Sequence, residues 1–489
     1  MAAWFKRKTS ALVESLSPRL DKPNVRRDCP PNRRVSQGVA GSIGVAGSVD
    51  SLYWRTSGCE ARLGVNIYAV IIVVALLGEY ALSVLSSTLS LRSLSPAVPP
   101  DFADVFDADR YARSQEYTRS QTRFGLVLSS VSLIVILTIW QLGGFDWLDQ
   151  TVRGLGYGPI RTGLLYLGSL GLGSLLLRLP FRLYRTFVIE ARYGFNRTTV
   201  WTFVADFLKG IILASVLGGI IMTGVLFFFQ WAGPSAWLWS WLAATLFLLV
   251  VQFVAPTWLM PLFNRFTPLQ EGSLRESIMS YAQSVGFPLR DIFVIDGSRR
   301  SSKANAFFTG FGGNRRIGLF DTLVENYSVS ELVAVVAHEV GHDKRGHILK
   351  SMVLQIGYLG GLFFVLSLVL ERRELFEAFS MTETSVYAGL VFFGLLFTPM
   401  ELALSLYVNA VSRKNEFEAD AFAAKTTGHA EHLVTALKKL SADSLSNLTP
   451  HPVDVFLHHS HPPVLQRITA LRLVATEGHD LPSEHSTTS

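Results

Sequence analysis

His338, Glu339, Val340, Gly341 and His342 spell H-E-x-x-H. On a helix, positions i and i+4 lie about 40° apart in projection, so both imidazoles point the same way. Two neutral His nitrogens so placed can hold Zn²⁺, and Glu339 between them can act as general base on a water that the metal acidifies. A catalytic zinc usually takes a third protein ligand. The metzincin pattern would place a His six residues after His342 and a Gly three after it; those positions hold Ile348 and Arg345, so that pattern fails. His347, about 140° round a continuous helix from His342, points away from the metal and reads as a surface or helix-packing histidine. The segment Asn409–Asp420, N-A-V-S-R-K-N-E-F-E-A-D, is a better source. Glu416 and Asp420 are i, i+4 on an expected helix and share a face, whereas Glu418 lies about 200° from Glu416 and is turned aside. Glu416 can then ligate zinc while Asp420 accepts the outer N–H of a ligand His and fixes its tautomer. An E-x-x-x-D pair alone is weak, because any amphipathic helix offers such pairs; beside a membrane span and after an H-E-x-x-H it is stronger.

The elements that must position these groups follow from periodicity. Val329, Leu332, Val333, Val336 and Val340 recur at helical spacing, and Ser328 or Ser330 can cap the helix start. Around this helix the chain is apolar: of 489 residues 49% are hydrophobic, 12% aromatic and only 17% charged, which argues for repeated membrane crossing. Seven stretches are long and apolar enough, at about 65–86, 124–143, 160–177, 210–229, 236–255, 351–370 and 387–408. The third is the weakest, broken by Gly163, Gly168, Gly171 and Gly173, which suit either a kink or a tightly packed helix interface. The first lies too far inside the chain, and is too long, for a cleavable signal peptide. Cys29 and Cys59 precede every span and offer neither zinc-ribbon spacing nor a disulfide framework, a single bridge aside. All eleven histidines fall at or after His338, which places the metal-binding chemistry in the last third of the chain. The net charge of +6 comes from residues 1–62, with eleven Lys/Arg against five Asp/Glu; the remainder balances at 33 against 33, so nothing supports a nucleic-acid partner. Residues 1–62 read as a basic, disordered extension, and a targeting segment, a patch near anionic lipid and a misassigned start all fit it.

Seven spans put the termini on opposite sides. With the N-terminus outside, the loop at 178–209 brings Arg178, Arg182, Arg185, Arg192, Arg197 and Lys209 to the cytosol, while the opposite loops hold only Arg153, Arg372 and Arg373. The basic tail argues the other way, but the internal loops weigh more, so the H-E-x-x-H is expected to face the cytosol. The triplets at Asn196, Asn326 and Asn447 then lie on cytosolic segments and take no glycan. Between the fifth and sixth spans, Glu271–Val285 reads as a helix and Asp291–Ile295 and Arg316–Phe320 as strands. Asn305–Thr309 is a possible third strand, with Gly310, Gly312 and Gly313 turning between the last two. Residues 409–489 begin as a continuation of the last span and end in a polar tail.

Three stretches together carry a specific resemblance. H-E-V-G-H, the S-R-K-N-E-F-E-A-D from Ser412 to Asp420 and the H-S-H-P-P-V-L-Q-R from His459 to Arg467 resemble the CAAX prenyl protease 1 family, the Ste24-type integral-membrane zinc metalloproteases of peptidase family M48. E-A-R-Y-G-F-N-R-T-T at 190–199, P-L-F-N-R-F-T-P-L at 261–269 and S-K-A-N-A-F-F-T-G at 302–310 support it, and the similarity runs from about Arg110 to Leu471. Glu418 departs from the familiar motif, which often has Gln there. The resemblance implies an α-helical multi-pass membrane protein, seven transmembrane helices forming a barrel around a large chamber, with a small α+β zinc metallopeptidase portion. It implies one Zn²⁺ per chain on His338, His342 and Glu416, Glu339 as catalytic base, and Asp420 as the carboxylate behind the metal. Asn305, His461 and Arg467 match positions that contact substrate or stabilise the reacting carbonyl, and Asn305–Phe308 could take substrate as an added strand. Their ordinary alternatives are a turn at Asn305, a helix cap at His461 and a surface ion pair at Arg467.

The expected organisation is a 1–62 extension, a five-helix membrane region over 63–255, and a peptidase region over 256–489 with two further spans and a C-terminal helical segment. The expected activity is hydrolysis of peptide or protein substrates at the bilayer. A eukaryotic source implies removal of the C-terminal tripeptide from prenylated CAAX proteins in the endoplasmic reticulum membrane; a bacterial source implies broader clipping of membrane proteins in the plasma membrane. Two alternatives stand beside it. A heat-shock-type membrane peptidase would have four spans and lack the H-S-H-P-P region. A seven-span transporter or receptor with a non-catalytic metal site would need an ion pathway, and the clear ionisable residues inside spans are only Glu79 and Glu401.

Overall fold

Residues 66–309 and 315–479 are described by the structure, a computed structural model. Cys29, Cys59, the basic 1–62 extension, the turn at Gly310, Gly312 and Gly313, and the end of the polar tail all lie outside the described residues.

The chain runs through α1 (Ile67–Ser93) and α2 (Ala108–Gln141), turns on the short α3 (Gly144–Arg153) and continues through α4 (Pro159–Tyr184), which runs on as a π-helical turn over Arg185–Glu190. Next come α5 (Val200–Trp231) and α6 (Ala236–Val254). A non-membrane segment follows, with β1 (Phe266–Pro268), α7 (Ser273–Ser284), β2 (Leu289–Ile295), β3 (Ala306–Thr309), β4 (Arg315–Phe320), α8 (Asp321–Asn326) and α9 (Val329–Lys344). The chain then passes through α10 (His347–Val369), the short α11 (Arg373–Glu377) and the 42-residue α12 (Val386–Thr427). It ends in α13 (Ala430–Asp443), α14 (Pro452–His458) and α15 (Val464–His479).

Among the described residues, seven helices are long and apolar enough to cross a membrane, and each overlaps one of the expected spans. Most run further than the apolar stretch that announces them. In α2 the polar run D-R-Y-A-R-S-Q-E-Y-T-R is helical too, capped by Asp107, whose side chain accepts from the Arg110 N–H. Large apolar side chains such as Val74, Ile134, Ile212 and Leu246 are more than half exposed, as lipid-facing residues must be. The helices close on themselves: α1 packs on α2, α2 on the π-helical end of α4, then α4 on α5, α5 on α6, α6 on α10, α10 on α12, and α12 on α1. In the weak third span Gly163 is packed against Leu226 and Tyr387, while Gly168, Gly171 and Gly173 face open space.

Two cores lie at opposite ends of these helices. One gathers Ile72, Trp140, Phe145, Tyr166, Phe376, Phe379 and Phe392, with the Phe379 and Phe392 rings stacked at 3.9 Å. The other belongs to the peptidase portion and joins Phe102, Phe106 and Tyr111 to Ile278, Ile317, Leu319, Val336, Val340, Leu437 and Ile468. Its sheet has the order β1-β2-β4-β3, with β2 and β4 parallel and β1 and β3 antiparallel on the flanks. Strand β1, inside P-L-F-N-R-F-T-P-L, was not foreseen; three residues are too few for alternation to register. The basic 178–209 segment lies at the peptidase end, where Arg300 pairs with Asp206 at 2.8 Å and Lys303 with Glu190 at 3.3 Å.

Candidate metal centre and active site

Helix α9 begins with a capping box: the Ser328 hydroxyl accepts from Glu331 N–H, and the Glu331 carboxylate accepts from Ser328 N–H at 2.8 Å. Its apolar face buries Leu332, Val336 and Val340 in the peptidase core. Each such side chain contributes roughly 1.5–3 kcal/mol, so burial anchors the helix far more firmly than any surface ion pair, worth about 0–1 kcal/mol. The opposite contact is with α12. A Cβ on Gly341 would stand 3.1 Å from both the Cα and the carbonyl oxygen of Ala419, so the two backbones touch there. His338 and His342 lie three before and one after Gly341; Glu416 and Asp420 lie three before and one after Ala419. One close crossing therefore presents all four groups to each other.

The ligand atoms of His338, His342 and Glu416 all lie within 4.8 Å of one another. The two Nε2 atoms are 3.2 Å apart, and Glu416 stands 3.6 Å from His338 Nε2 and 3.3 Å from His342 Nε2. Behind them, His338 Nδ1 is 2.8 Å from Asp420 Oδ1 and 3.4 Å from Arg467 Nη2. With its proton on Nδ1, facing the acceptor-only carboxylate, His338 would present Nε2 as a bare lone pair. Glu416 Oε2 is buried and makes no hydrogen bond. It lies 3.0 Å from Arg467 Nη1 and 3.0 Å from His461 Nδ1, but neither N–H is aimed at it as a donor should be. Three ligand atoms this close together fit a cation: zinc–ligand bonds of about 2.0–2.2 Å at a tetrahedral angle put neighbouring donors ~3.3 Å apart. The residues present fit a divalent metal.

Glu339 lines a cavity of about 490 Å³ together with His342, Glu416, His461, Phe307 and Phe308. Burial raises its carboxyl above the usual carboxylate range, with His338, His342 and Arg467 opposing the shift. His461 is exposed at the rim, and the Glu416 carboxylate beside it raises its imidazole above the ordinary value. Arg467 is buried and grips Asp420 with a fork, Nε at 2.8 Å and Nη2 at 2.7 Å. Asn305 is exposed just before β3, its side chain accepting from Ala306 N–H and its carbonyl from Phe320 N–H. Strand β3 is the edge of the sheet, with β4 on one side, and its Phe307 and Phe308 line the cavity.

Several contacts around the site are not legible in the sequence. His347 stays out of the ligand group and packs between helices, as expected, but it does so directly behind a ligand: it is buried and its Nδ1 sits 3.1 Å from His342 Nδ1. The helical projection assumed one continuous helix. The chain breaks at Gly346, whose φ of 69° is left-handed, and α10 folds His347 back. Glu418, turned away from the metal as expected, accepts from His347 Nε2 at 3.1 Å. Arg413 donates to the carbonyls of Val455 and His459 at 3.2 and 2.6 Å, and Asn409 to that of Leu457 at 3.2 Å. Together they hold the segment that carries His461 against α12.

The description "CAAX prenyl protease N-terminal, five membrane helices" matches residues 88–265, and "Peptidase family M48" matches residues 268–475. A CAAX prenyl protease 1 homolog of Oryza sativa is 38% identical over 390 residues, covering 77% of this chain and 90% of the relative. The chain belongs to the CAAX prenyl protease 1 family. The Homo sapiens homolog is 33% identical, with 77% of this chain and 88% of the relative covered. The solved structure of S. mikatae Ste24p superposes with a TM-score of 0.79 at 31% identity, covering 83% of this chain and 99% of that one. The family fixes the class of protein: an integral, multi-pass membrane metalloprotease with seven helices around a chamber and an M48 peptidase portion. Neither a transporter nor a receptor is favoured beside it, and the five-helix N-terminal match sets aside the four-span heat-shock type.

Proposed function

We propose that this protein is a zinc endopeptidase that removes the C-terminal tripeptide from prenylated CAAX proteins at the cytosolic face of the endoplasmic reticulum membrane. The observation that carries this is the convergence of His338, His342 and Glu416 beside buried Glu339, in a cavity bordered by an open strand edge. The substrate class is carried over from relatives named CAAX prenyl protease 1, all of those above being eukaryotic. One Zn²⁺ on His338, His342 and Glu416 would supply Lewis acidity to the scissile carbonyl and acidify the attacking water. Glu339 takes the water's proton and passes it to the leaving amine, and its raised carboxyl suits it to both halves of that transfer. Asp420 holds His338 in the tautomer that leaves Nε2 free. Arg467 fixes Asp420, and its charge faces Glu416. His461 donates toward the carbonyl oxygen as charge builds there. Substrate lies along β3, its main chain paired with that edge, and Asn305 holds its backbone at the strand's start.

The experiment is cleavage by the purified, detergent-solubilised protein of a farnesylated CAAX peptide and of its unmodified counterpart. Wild type should cleave the farnesylated peptide preferentially, and chelator should abolish the activity until zinc is returned. Glu339→Gln should lose about 10²–10⁴-fold in rate while keeping its zinc. Equal cleavage of the two peptides would replace prenyl processing by broad proteolysis. Equal inactivity of wild type and Glu339→Gln, with zinc stoichiometrically bound, would remove the catalytic assignment.

A further inference from the structure

We infer that His347 and Glu418 are positioning residues that fix the tautomer of His342, as Asp420 does for His338; this rests on the metal assignment proposed above. His342 Nδ1 faces His347 Nδ1 at 3.1 Å, and His347 Nε2 faces Glu418 Oε2 at 3.1 Å. A neutral imidazole has one N–H and one lone pair, and an ionised carboxylate only accepts. Glu418 therefore draws the His347 proton to Nε2 and leaves its Nδ1 as an acceptor. His342 must then carry its own proton on Nδ1 and donate it to His347. Its Nε2 is left bare, 3.2 Å from His338 Nε2 and 3.3 Å from Glu416 Oε1. The opposite assignment fails: a proton on His347 Nδ1 would force the His342 proton onto Nε2, into the middle of the ligand group.

The fold provides for this chain of bonds. Gly346, at φ 69°, ends α9 and lets His347 open α10 directly beneath His342. Position 418 projects from α12 on the side away from Glu416, which is why it meets His347 rather than the metal ligands. The His347 imidazole is 4% exposed, so water does not compete for its nitrogens, whereas the Glu418 side chain, 36% exposed, reaches the surface. Lys414 approaches the other Glu418 oxygen at 3.7 Å and leaves Oε2 to His347. The ligand histidines thus have different backing: His338 rests directly on Asp420, His342 on a carboxylate one imidazole further out.

The test measures zinc affinity by chelator competition on the purified full-length protein, alongside its melting temperature. His347→Leu should weaken zinc binding about 10–100-fold. His347→Asn, whose side-chain oxygen replaces the Nδ1 acceptor, should recover most of that loss. Glu418→Gln keeps an acceptor and should bind zinc like wild type; Glu418→Leu frees the His347 tautomer and should bind more weakly. A merely packing role predicts no difference between His347→Asn and His347→Leu, and equal affinity in these two overturns the inference. If His347→Leu does not fold, the exposed Glu418 pair decides: wild-type affinity in Glu418→Leu overturns the inference. Wild-type protein that binds no zinc overturns the underlying metal assignment instead, a result distinct from variants that match wild type.

Discussion

Arg467 carries two buried carboxylates at once, forking onto Asp420 and standing 3.0 Å from Glu416. Removing it leaves buried Asp420 without its forked partner, so Arg467→Leu should destabilise the protein by roughly 3–5 kcal/mol, read as a lowered melting temperature. Arg467→Lys keeps the charge but cannot form the fork. It should fold better than the Leu variant yet still show reduced kcat/KM and weaker zinc retention. Wild-type activity in Arg467→Lys would show that charge alone suffices. The sequence exposes such residues unevenly. His338 with His342 and Glu416 with Asp420 are legible because i, i+4 spacing is local and helical geometry is the same everywhere. Arg467 comes from a helix 47 residues beyond Asp420, and no spacing rule joins them; only the family resemblance pointed to it. The contact of His347 with His342 is not legible because a helical projection holds only as far as the helix does, and Gly346 is the available signal that it stops.

Helices α9 and α12 bring the ligands together because a glycine stands where they touch. Any side chain at 341 meets the Ala419 backbone, which cannot swing aside. Gly341→Val should cost about 1–3 kcal/mol by overpacking, and by parting the helices it should weaken zinc binding. Gly168→Val, in open space, is the control and should leave both unchanged. A second joint ties α14 to α1: Asp454 accepts from the Ser86 and Ser90 hydroxyls, at 2.9 Å each, with His459 Nε2 at 3.5 Å. Burial alone would raise its carboxyl, but these partners overcome that and lower it to about 2. An unfolded Asp titrates near 3.9. Because the folded value is depressed, the stabilisation is complete above about pH 4 and is lost as the pH falls toward 2. Asp454→Asn should melt lower than wild type at neutral pH, by about 1–3 kcal/mol. The gap should close in melts taken between pH 4 and pH 2; a gap independent of pH would contradict the charged joint. At this scale the sequence gives the centres of elements better than their ends. Apolar runs mark all seven membrane helices, but hydropathy is silent where α2 and α12 continue as polar helix, and there the caps set the limits.

The whole molecule has two unlike ends. At one, α11 and the ends of α1, α2 and α12 close over an aromatic core with few basic residues. At the other, the peptidase portion sits among Arg178, Arg182, Arg185, Arg192, Arg197 and Lys209. Charge of this kind sets orientation during insertion, because short loops rich in Lys and Arg are retained in the cytosol. The metal centre and its basic surroundings should therefore face the cytosol together. Single cysteines on a Cys29→Ser, Cys59→Ser background can report this. Leu473→Cys, on α15 and 59% exposed, marks the peptidase end, and Leu155→Cys, between α3 and α4 and 58% exposed, marks the other. In sealed microsomes with the cytosolic face outward, a membrane-impermeant maleimide should label Leu473→Cys at once and Leu155→Cys only after detergent. The reverse pattern would put the active site in the lumen. It would also rule out cytosolic prenylated proteins as substrates, since a chain cannot be cut from the side of the bilayer it does not reach.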